Sequence, residues 1–276
     1  MNLPSNNLSM ESYWRKSLRS NAWATWTGIM HLILFFVFTM LSFTDPRTVG
    51  DVDNWYKPMK FASSIGIFML TLSFLTPPLL KNANEKARQR VKISSIVVAL
   101  MMWGEMLLIS LQAARGLASH FNIQSPLDST IYSIMGVMIA TSSVATVVFL
   151  APFFNKSSEE LSLGTLTLLG IRWGSILFIL GSVAGGLMSG ILTHSVGEPG
   201  NTSIPFLGWS LTAGDIRSVH FIGLHGLQVL PLIGILGDKK QSVAAIGKLI
   251  ILLYTSGFLG ASVLTALGLS VVFWLA

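Results

Sequence analysis

The chain has 276 residues, of which 51% are hydrophobic and only 11% are charged, with a net charge of +6. Soluble domains carry roughly 25% charged residues, so this chain has too little polar surface to cover a water-soluble globule. It contains no cysteine, which excludes disulfides, thiolate metal sites, iron–sulfur clusters and thiol nucleophiles. The basic residues concentrate in a few loops between apolar runs and do not indicate nucleic-acid binding.

The composition predicts an all-α fold, a polytopic membrane bundle of about seven transmembrane helices, because one span needs about 20 mostly apolar residues. Polar residues, prolines or glycines bound each apolar run. In chain order the predicted spans are 22–43, 60–80, 93–117, 129–153, 164–193, 216–236 and 248–275. We therefore predict a cytoplasmic N-terminal segment over residues 1–21 and a single seven-helix transmembrane domain over residues 22–276.

Lysine and arginine predict the orientation, because loops rich in these residues stay in the cytoplasm. Twelve of the 18 basic residues fall in one alternating set of loops: Arg15, Lys16, Arg19, Lys81, Lys86, Arg88, Arg90, Lys92, Lys156, Lys239, Lys240 and Lys248. Five fall in the opposite set: Arg47, Lys57, Lys60, Arg115 and Arg217. The N-terminus is therefore predicted to be cytoplasmic and the C-terminus outside, and the helix ends are called inner and outer accordingly.

Two ionisable side chains interrupt the first and third spans near the predicted midplane of the membrane. His31 lies nine residues from the inner end of the first span. Glu105 lies roughly 18 Å from the inner end of the third span, at 1.5 Å per residue. An intramembrane carboxylate is costly and marks a candidate functional site, so Glu105 is predicted to accept a proton. A structural pair with an arginine or histidine of a neighbouring helix is the alternative.

Further polar residues follow towards the outer ends of the second and third spans. Gln112, Arg115 and Ser119 share an arc of roughly 80° with Glu105 if the helix continues through them. His120 comes next, at the predicted outer surface. Lys60 opens the second span and either lines a binding site or reaches to lipid headgroups.

The fifth span combines glycines with one arginine. Gly181, Gly185, Gly186 and Gly190 have the small-xxx-small spacing that lets helix backbones approach closely, so they predict helix packing. Arg172 in the same span is predicted either to extend towards the inner end or to pair with a carboxylate.

The sixth span carries a polar face of roughly 140°, formed by Arg217, His220, His225 and Gln228. Asp215 precedes the span and is expected to cap the helix. His225 lies roughly 14 Å below the outer surface, close to the predicted depth of His31 and Glu105. The sequence therefore predicts a buried His/Glu/Arg site that opens to the outer face and has a basic rim.

Three segments, WYKPMKF, QAARGLASHFN and HFIGLHGLQ, resemble segments shared by a group of uncharacterised bacterial polytopic membrane proteins. The resemblance implies a location in the bacterial inner membrane. It implies no activity, substrate or cofactor.

The first hypothesis for the predicted site is a b-type haem or a similar redox cofactor. His31 and His225 would be the axial ligands, because neutral imidazoles at one depth on separate helices suit that role. Anionic propionates would bind at the basic rim. The residues predicted to contact the cofactor or ligand are Lys60, Gln112, Arg115, His120, Arg217, His220 and Gln228.

Two other hypotheses remain open. A proton-coupled transporter, or a receptor for a small anionic ligand, would use Glu105 and the histidines to handle protons. A zinc-dependent intramembrane hydrolase would use His31, Glu105 and His225 as ligands, although the HExxH motif is absent. The sequence does not decide whether the protein is an enzyme or whether it forms oligomers.

Overall fold

The computed structural model describes residues 10–50, 52–200, 202–239 and 241–272. Within these ranges the protein is 76% helical with almost no strand. Seven helices of this described part are long and apolar enough to cross a membrane. The predicted all-α membrane bundle is therefore confirmed. Residues 1–9 of the N-terminal segment, Lys240, and residues 273–275 of the predicted seventh span lie outside the described residues.

The elements of the described chain follow the order of the predicted spans. The helices are α1 (Met10–Ser20), α2 (Ala22–Thr44), α3 (Tyr56–Leu80), α4 (Glu85–Ala114), α5 (Pro126–Leu150), α6 (Pro152–Asn155), α7 (Ser158–Leu161), α8 (Thr165–Ile191), α9 (Ile216–Lys239) and α10 (Gln241–Ala266). Two antiparallel strand pairs join β1 (Thr48–Val49) to β2 (Val52–Asp53) and β3 (Ser195–Val196) to β4 (Gly214–Asp215). The spans correspond to α2–α5 and α8–α10.

The ends of α4 differ from the predicted span 93–117. The helix begins at Glu85, because the Asn84 side chain accepts the Ala87 N–H and caps it. It ends before Gly116, whose φ of 72° is a conformation that favours glycine and stops the helix. Ser119 lies beyond this end, so the predicted arc that joined Ser119 to Glu105 on one helix is wrong.

Similar chemistry shifts the ends of two other spans. α3 begins at Tyr56, one turn before Lys60, with Pro58 in its first turn. α10 begins at Gln241 and ends at Ala266, ahead of Gly268 with a φ of 75°. Hydropathy locates each span, whereas caps and left-handed glycines decide where the helix stops.

The described residues form two compact units, which are considered separately. Unit 1 contains the described residues up to Leu117 together with Val137–Phe149. Unit 2 contains Ala118–Gly136 together with the described residues from Leu150 onward. The single transmembrane domain over residues 22–276 stays a prediction.

Unit 1 is built on the packing of α2 and α4 against α3. Met69 and Leu72 of α3 are completely buried, as is Val98 of α4. α2 crosses α3 closely at Gly28, where an added Cβ would lie 3.0 Å from the Gly66 carbonyl oxygen. α1 also packs against α3. The interior of this unit is therefore a contact between three long helices.

Unit 2 is built on the antiparallel packing of α8 and α9, with α10 against α9. The backbones of α8 and α9 touch: a Cβ added at Gly223 would lie 2.6 Å from the Gly181 Cα atom. At Gly186 and Gly190 an added Cβ would meet nothing within 4 Å. The predicted packing role of the glycines therefore holds for Gly181, and Gly186 and Gly190 take no part in this contact.

Candidate functional site

His31 is completely buried in unit 1. Its Nδ1 lies 2.8 Å from the Thr27 carbonyl oxygen, one turn earlier in α2. Because a carbonyl can only accept, Nδ1 carries the proton, and Nε2 of the neutral ring is left as the acceptor. Nε2 makes no hydrogen bond. The ring packs on Trp103 of α4 with 4.6 Å between the ring centroids.

Glu105 follows in the next turn of α4 and is also completely buried. Neither of its carboxyl oxygens has a hydrogen-bond partner in the described part of the chain. The charge of Lys57 on α3 acts on this carboxyl group. Native proteins leave few buried polar atoms unsatisfied, so an orphaned carboxyl group in hydrocarbon indicates a proton, an ion or a ligand.

The outer end of unit 1 is rich in charged residues, with basic residues in excess over the aspartates of the α2–α3 connection. Four of the five basic residues predicted at the outer side belong to this unit: Arg47, Lys57, Lys60 and Arg115. Arg115 Nη1 donates to Gln112 Oε1 at 2.5 Å, and Gln112 is completely buried. Two predicted contact residues therefore form a bonded pair above Glu105 on the same helix.

Two residues of the α2–α3 connection hold the outer end of α4. Arg47 Nη1 donates to the Ala114 carbonyl at 2.9 Å, and the Asn54 side chain donates to the Ala113 carbonyl. The Asn54 Oδ1 atom is buried without a hydrogen-bond partner. Sequence reasoning missed Asn54, because a polar residue in a loop looks like any solvated residue.

Asp45 fixes the same connection just beyond the end of α2. Arg47 donates to it through Nε at 2.8 Å and Nη2 at 2.7 Å, and the Trp55 indole donates at 2.8 Å. Hydrogen bonds from Arg47, and then from Trp55, hold the pKa of the Asp45 carboxyl well below its usual range. The Asp45 carboxylate therefore stabilises the conformation of the loop that contains Arg47.

A cluster of buried amide and hydroxyl groups lies at the inner end of unit 1. Asn21 Nδ2 donates to Thr76 Oγ1 at 3.0 Å and to Ser95 Oγ at 2.7 Å. Thr25 Oγ1 and Ser73 Oγ are 2.8 Å apart. We call these five residues the inner hydroxyl cluster. Sequence reasoning missed it, although serine and threonine recur on the inner halves of α2, α3 and α4.

In unit 2, the buried Asp215 and the partly exposed Arg217 form an ion pair at the start of α9. Asp215 is 1% exposed and accepts from the Arg217 backbone N–H at 3.0 Å and from its Nη2 at 2.6 Å. The expected cap by Asp215 is therefore present. Asp215 also accepts the Ser210 N–H at 3.1 Å. Arg217 therefore has a structural role in this ion pair, and its predicted contact with a ligand stays a prediction.

The histidines of unit 2 have protein neighbours. His220 Nδ1 lies 2.7 Å from the Gly181 carbonyl oxygen, so it donates across to α8. The half-buried His225 ring packs on Phe221 with 4.2 Å between centroids. When the Gln228 amide is oriented to donate, its nitrogen lies 3.3 Å from His225 Nδ1.

His120 lies in the connection after α4, also in unit 2. Its Nδ1 is 3.2 Å from Ser119 Oγ, and its ring contacts Tyr132 with 5.9 Å between centroids. These contacts seat the ring within the connection and leave its predicted role in ligand binding untested.

The predicted site residues divide between the two units. Unit 1 holds His31, Lys60, Glu105, Gln112 and Arg115, and unit 2 holds His120, Arg217, His220, His225 and Gln228. Within the described ranges, no three side chains of His, Asp or Glu converge as a metal site requires. The roles of these residues, haem b and zinc all stay predictions.

Fold and composition define the class: the chain is a multi-pass α-helical membrane protein, with lipid contact along its long apolar helices. Comparisons with known proteins add no family to this class, since no protein-family model, curated protein or solved structure matches the chain.

Proposed function

We propose that this protein is a proton-coupled carrier of a small anionic ligand in the bacterial inner membrane. Glu105 and His31 of unit 1 are its proton-binding groups. One observation carries the proposal: both carboxyl oxygens of Glu105 and the Nε2 of His31 are buried without hydrogen-bond partners on adjacent helices. The resemblance of three sequence segments to bacterial membrane proteins supports the location.

Proton exchange explains why these atoms are kept unsatisfied. A charged carboxylate in hydrocarbon costs about 2.5–3.5 kcal/mol on insertion scales, so it persists where it serves a function. A group bonded tightly in one protonation state resists changing that state. Glu105 and His31 lack such bonds at three atoms, so each can gain or lose a proton without breaking a protein hydrogen bond.

The charges around Glu105 explain why the ligand is an anion. The Lys57 charge acts on the Glu105 carboxyl, and the outer end of unit 1 gathers four basic residues. An anion that binds near these basic residues is repelled by the Glu105 carboxylate when that carboxylate is charged. Neutralising Glu105 with a proton removes that repulsion, so anion and proton binding reinforce each other. This linkage is the thermodynamic basis of symport.

Polar groups on the inner side of unit 1 support a route for protons to the inner side. The inner hydroxyl cluster precedes His31 along α2 and Glu105 along α4. Hydroxyl and amide groups can donate and accept, which suits proton exchange through a chain of hydrogen bonds. Along these helices the order is therefore hydroxyl cluster, His31 and Glu105, then the basic outer end.

The test is anion-driven proton movement into proteoliposomes that contain a pH-sensitive dye. Acetate, lactate, succinate, sulfate and inorganic phosphate are added in turn under an imposed proton gradient. We expect at least one anion to accelerate internal acidification above the rate in protein-free liposomes with the native protein, and none to do so with Glu105→Gln. Glu85→Gln is the matched control, because Glu85 lies on the same helix and is exposed.

Three outcomes contradict the proposal. The native protein gives no acidification with any anion, or Glu105→Gln keeps the native rate, or Glu85→Gln loses the rate equally. A Soret band in the visible spectrum of the purified protein would favour the haem b hypothesis instead.

A further inference from the structure

A cavity of about 500 Å³ lies at the inner end of unit 2, where the chain passes from α6 through α7 into α8. Its lining includes two basic side chains, three hydroxyl groups and two leucines, among them Lys156, Arg172, Ser157, Thr165, Leu168 and Leu169. The proposed carrier site lies in unit 1, so this cavity is a separate candidate site.

Arg172 is held in the cavity wall by backbone carbonyls. Its Nε donates to the Phe153 carbonyl at 2.8 Å and its Nη2 donates to the Lys156 carbonyl at 2.9 Å. Of the two sequence alternatives, the side chain therefore extends towards the inner end, and it pairs with no carboxylate of the described residues. A guanidinium has five N–H donors, so these two bonds fix its plane and leave donors for a ligand.

Three carboxylates of this region do not line the cavity. Asp238 accepts the Thr167 N–H at 2.7 Å and the Thr167 hydroxyl at 2.6 Å. Glu160 Oε2 accepts the Ser157 N–H at 2.7 Å and completes the cap of α7. Glu159 is exposed and also lies outside the lining. The charged groups that face the cavity are therefore the cations Lys156 and Arg172, and they favour an anion.

The remaining wall is apolar. Leu168 and Leu169 continue the cavity along α8, and Phe154 is 42% exposed at its edge. A ligand that fills this space has an anionic head and a hydrocarbon part. Basic pockets between transmembrane helices on the cytoplasmic side are suited to phospholipid headgroups.

We propose that this cavity binds the phosphate group of an anionic phospholipid from the inner leaflet. Lys156 and Arg172 contact the phosphate oxygens, Ser157 and Thr165 donate hydroxyl hydrogen bonds, and an acyl chain lies along Leu169 and Phe154. The site depends on the predicted orientation of the chain and is independent of the carrier proposal.

The test measures thermal unfolding of the full-length protein in detergent during titration with lipid. Phosphatidylglycerol and phosphatidylcholine with identical acyl chains are compared, together with inorganic phosphate as the soluble source of the same group. We expect phosphatidylglycerol to raise the unfolding temperature along a saturable curve, and both other additions to leave it unchanged.

Lys156→Gln is expected to weaken phosphatidylglycerol binding roughly fivefold, the effect of one basic residue at an anionic surface. Lys156→Arg restores it. Lys248→Gln is the matched control, because it removes the same charge from the third turn of α10 in the same unit and does not line the cavity. Arg172 is left intact, since its backbone bonds also hold the fold.

The proposal is overturned if phosphatidylcholine stabilises the protein as well as phosphatidylglycerol, or if Lys248→Gln weakens binding as much as Lys156→Gln. It is also overturned if inorganic phosphate alone gives the full stabilisation, because the lipid assignment then fails.

Discussion

The two units satisfy their buried polar groups in different ways. Unit 1 leaves His31 Nε2 and both oxygens of Glu105 without hydrogen bonds in its interior. In the described part of unit 2, the buried side-chain atoms without a partner are the hydroxyls of Tyr132 and Thr265. Its ionisable Asp215 accepts several hydrogen bonds, and His220 donates to a backbone carbonyl.

The two units also differ in how their helices pack. In unit 2 the backbones of α8 and α9 meet at glycines, with little space for side chains to rearrange. In unit 1 one glycine contact, Gly28 against Gly66, brings α2 close to α3, and large side chains and the inner hydroxyl cluster also lie between the helices. Unit 2, with more glycine contacts, suits a rigid role, whereas unit 1, with its unsatisfied ionisable groups, can respond to protons.

The largest expected effect on stability is at the glycine contact of unit 2. Gly223→Ala places a methyl group 2.6 Å from the Gly181 Cα atom, so the helices must separate. We expect a loss of about 3 kcal/mol, the upper part of the usual range for overpacking. Thermal unfolding in detergent measures it.

Gly186→Ala is the control for that prediction, because an added Cβ there meets nothing within 4 Å. It should leave stability unchanged or raise it slightly through helix propensity. Equal losses in the two variants would show that the tight contact of unit 2 has been misjudged.

The inner hydroxyl cluster of unit 1 is expected to give the next largest effect. Asn21→Ala removes a helix cap and two hydrogen bonds between helices, to Thr76 and Ser95. Asn84→Ala removes a cap alone. We expect the first variant to lose about 2 kcal/mol more than the second, at roughly 1 kcal/mol for each lost hydrogen bond. Matching unfolding temperatures would argue against a structural cluster.

His31→Phe tests whether the unsatisfied imidazole serves stability. Phenylalanine keeps a ring against Trp103 and removes the buried Nε2 that has no hydrogen bond. We expect stability to change by less than about 1 kcal/mol, because the lost bond to Thr27 is offset by removing a buried polar atom. Anion-driven acidification should nevertheless be lost. If His31→Phe instead lowers the unfolding temperature strongly, His31 has a structural role and the prediction is wrong.

The smallest expected effect is at Asp45. Because hydrogen bonds lower its pKa in the folded state, its contribution to stability is present above the ordinary pKa of aspartate and is lost as the pH falls through the lowered value. Asp45→Asn should reduce the unfolding temperature slightly at neutral pH and flatten its decline in acid. The same acid dependence in both proteins would contradict this account.

Much of the fold could be predicted from the sequence, because long apolar runs report membrane spans directly. The helix ends could not, since they depend on single residues. Asn84 extends α4 through charged residues that hydropathy excludes, and Gly268 follows the end of α10 within an apolar stretch. Whether the chain forms one domain or two depends on contacts between helices, which a linear pattern does not contain.

The candidate site was predictable in part. His31 and Glu105 stood out because ionisable groups in hydrocarbon are rare. The inner hydroxyl cluster did not, since serine and threonine in helices usually bond back to their own backbone. The sequence also could not show that the Lys57 charge acts on Glu105, because that depends on how α3 is rotated against α4.

Infrared difference spectroscopy of the purified protein tests the central claim most directly. A pH titration should reveal a carbonyl stretching band of a protonated carboxylic acid that is present in the native protein and in Glu85→Gln, and absent in Glu105→Gln. Such a band would show that the carboxyl group inside unit 1 exchanges a proton. A native spectrum identical to that of Glu105→Gln at every pH would contradict the account.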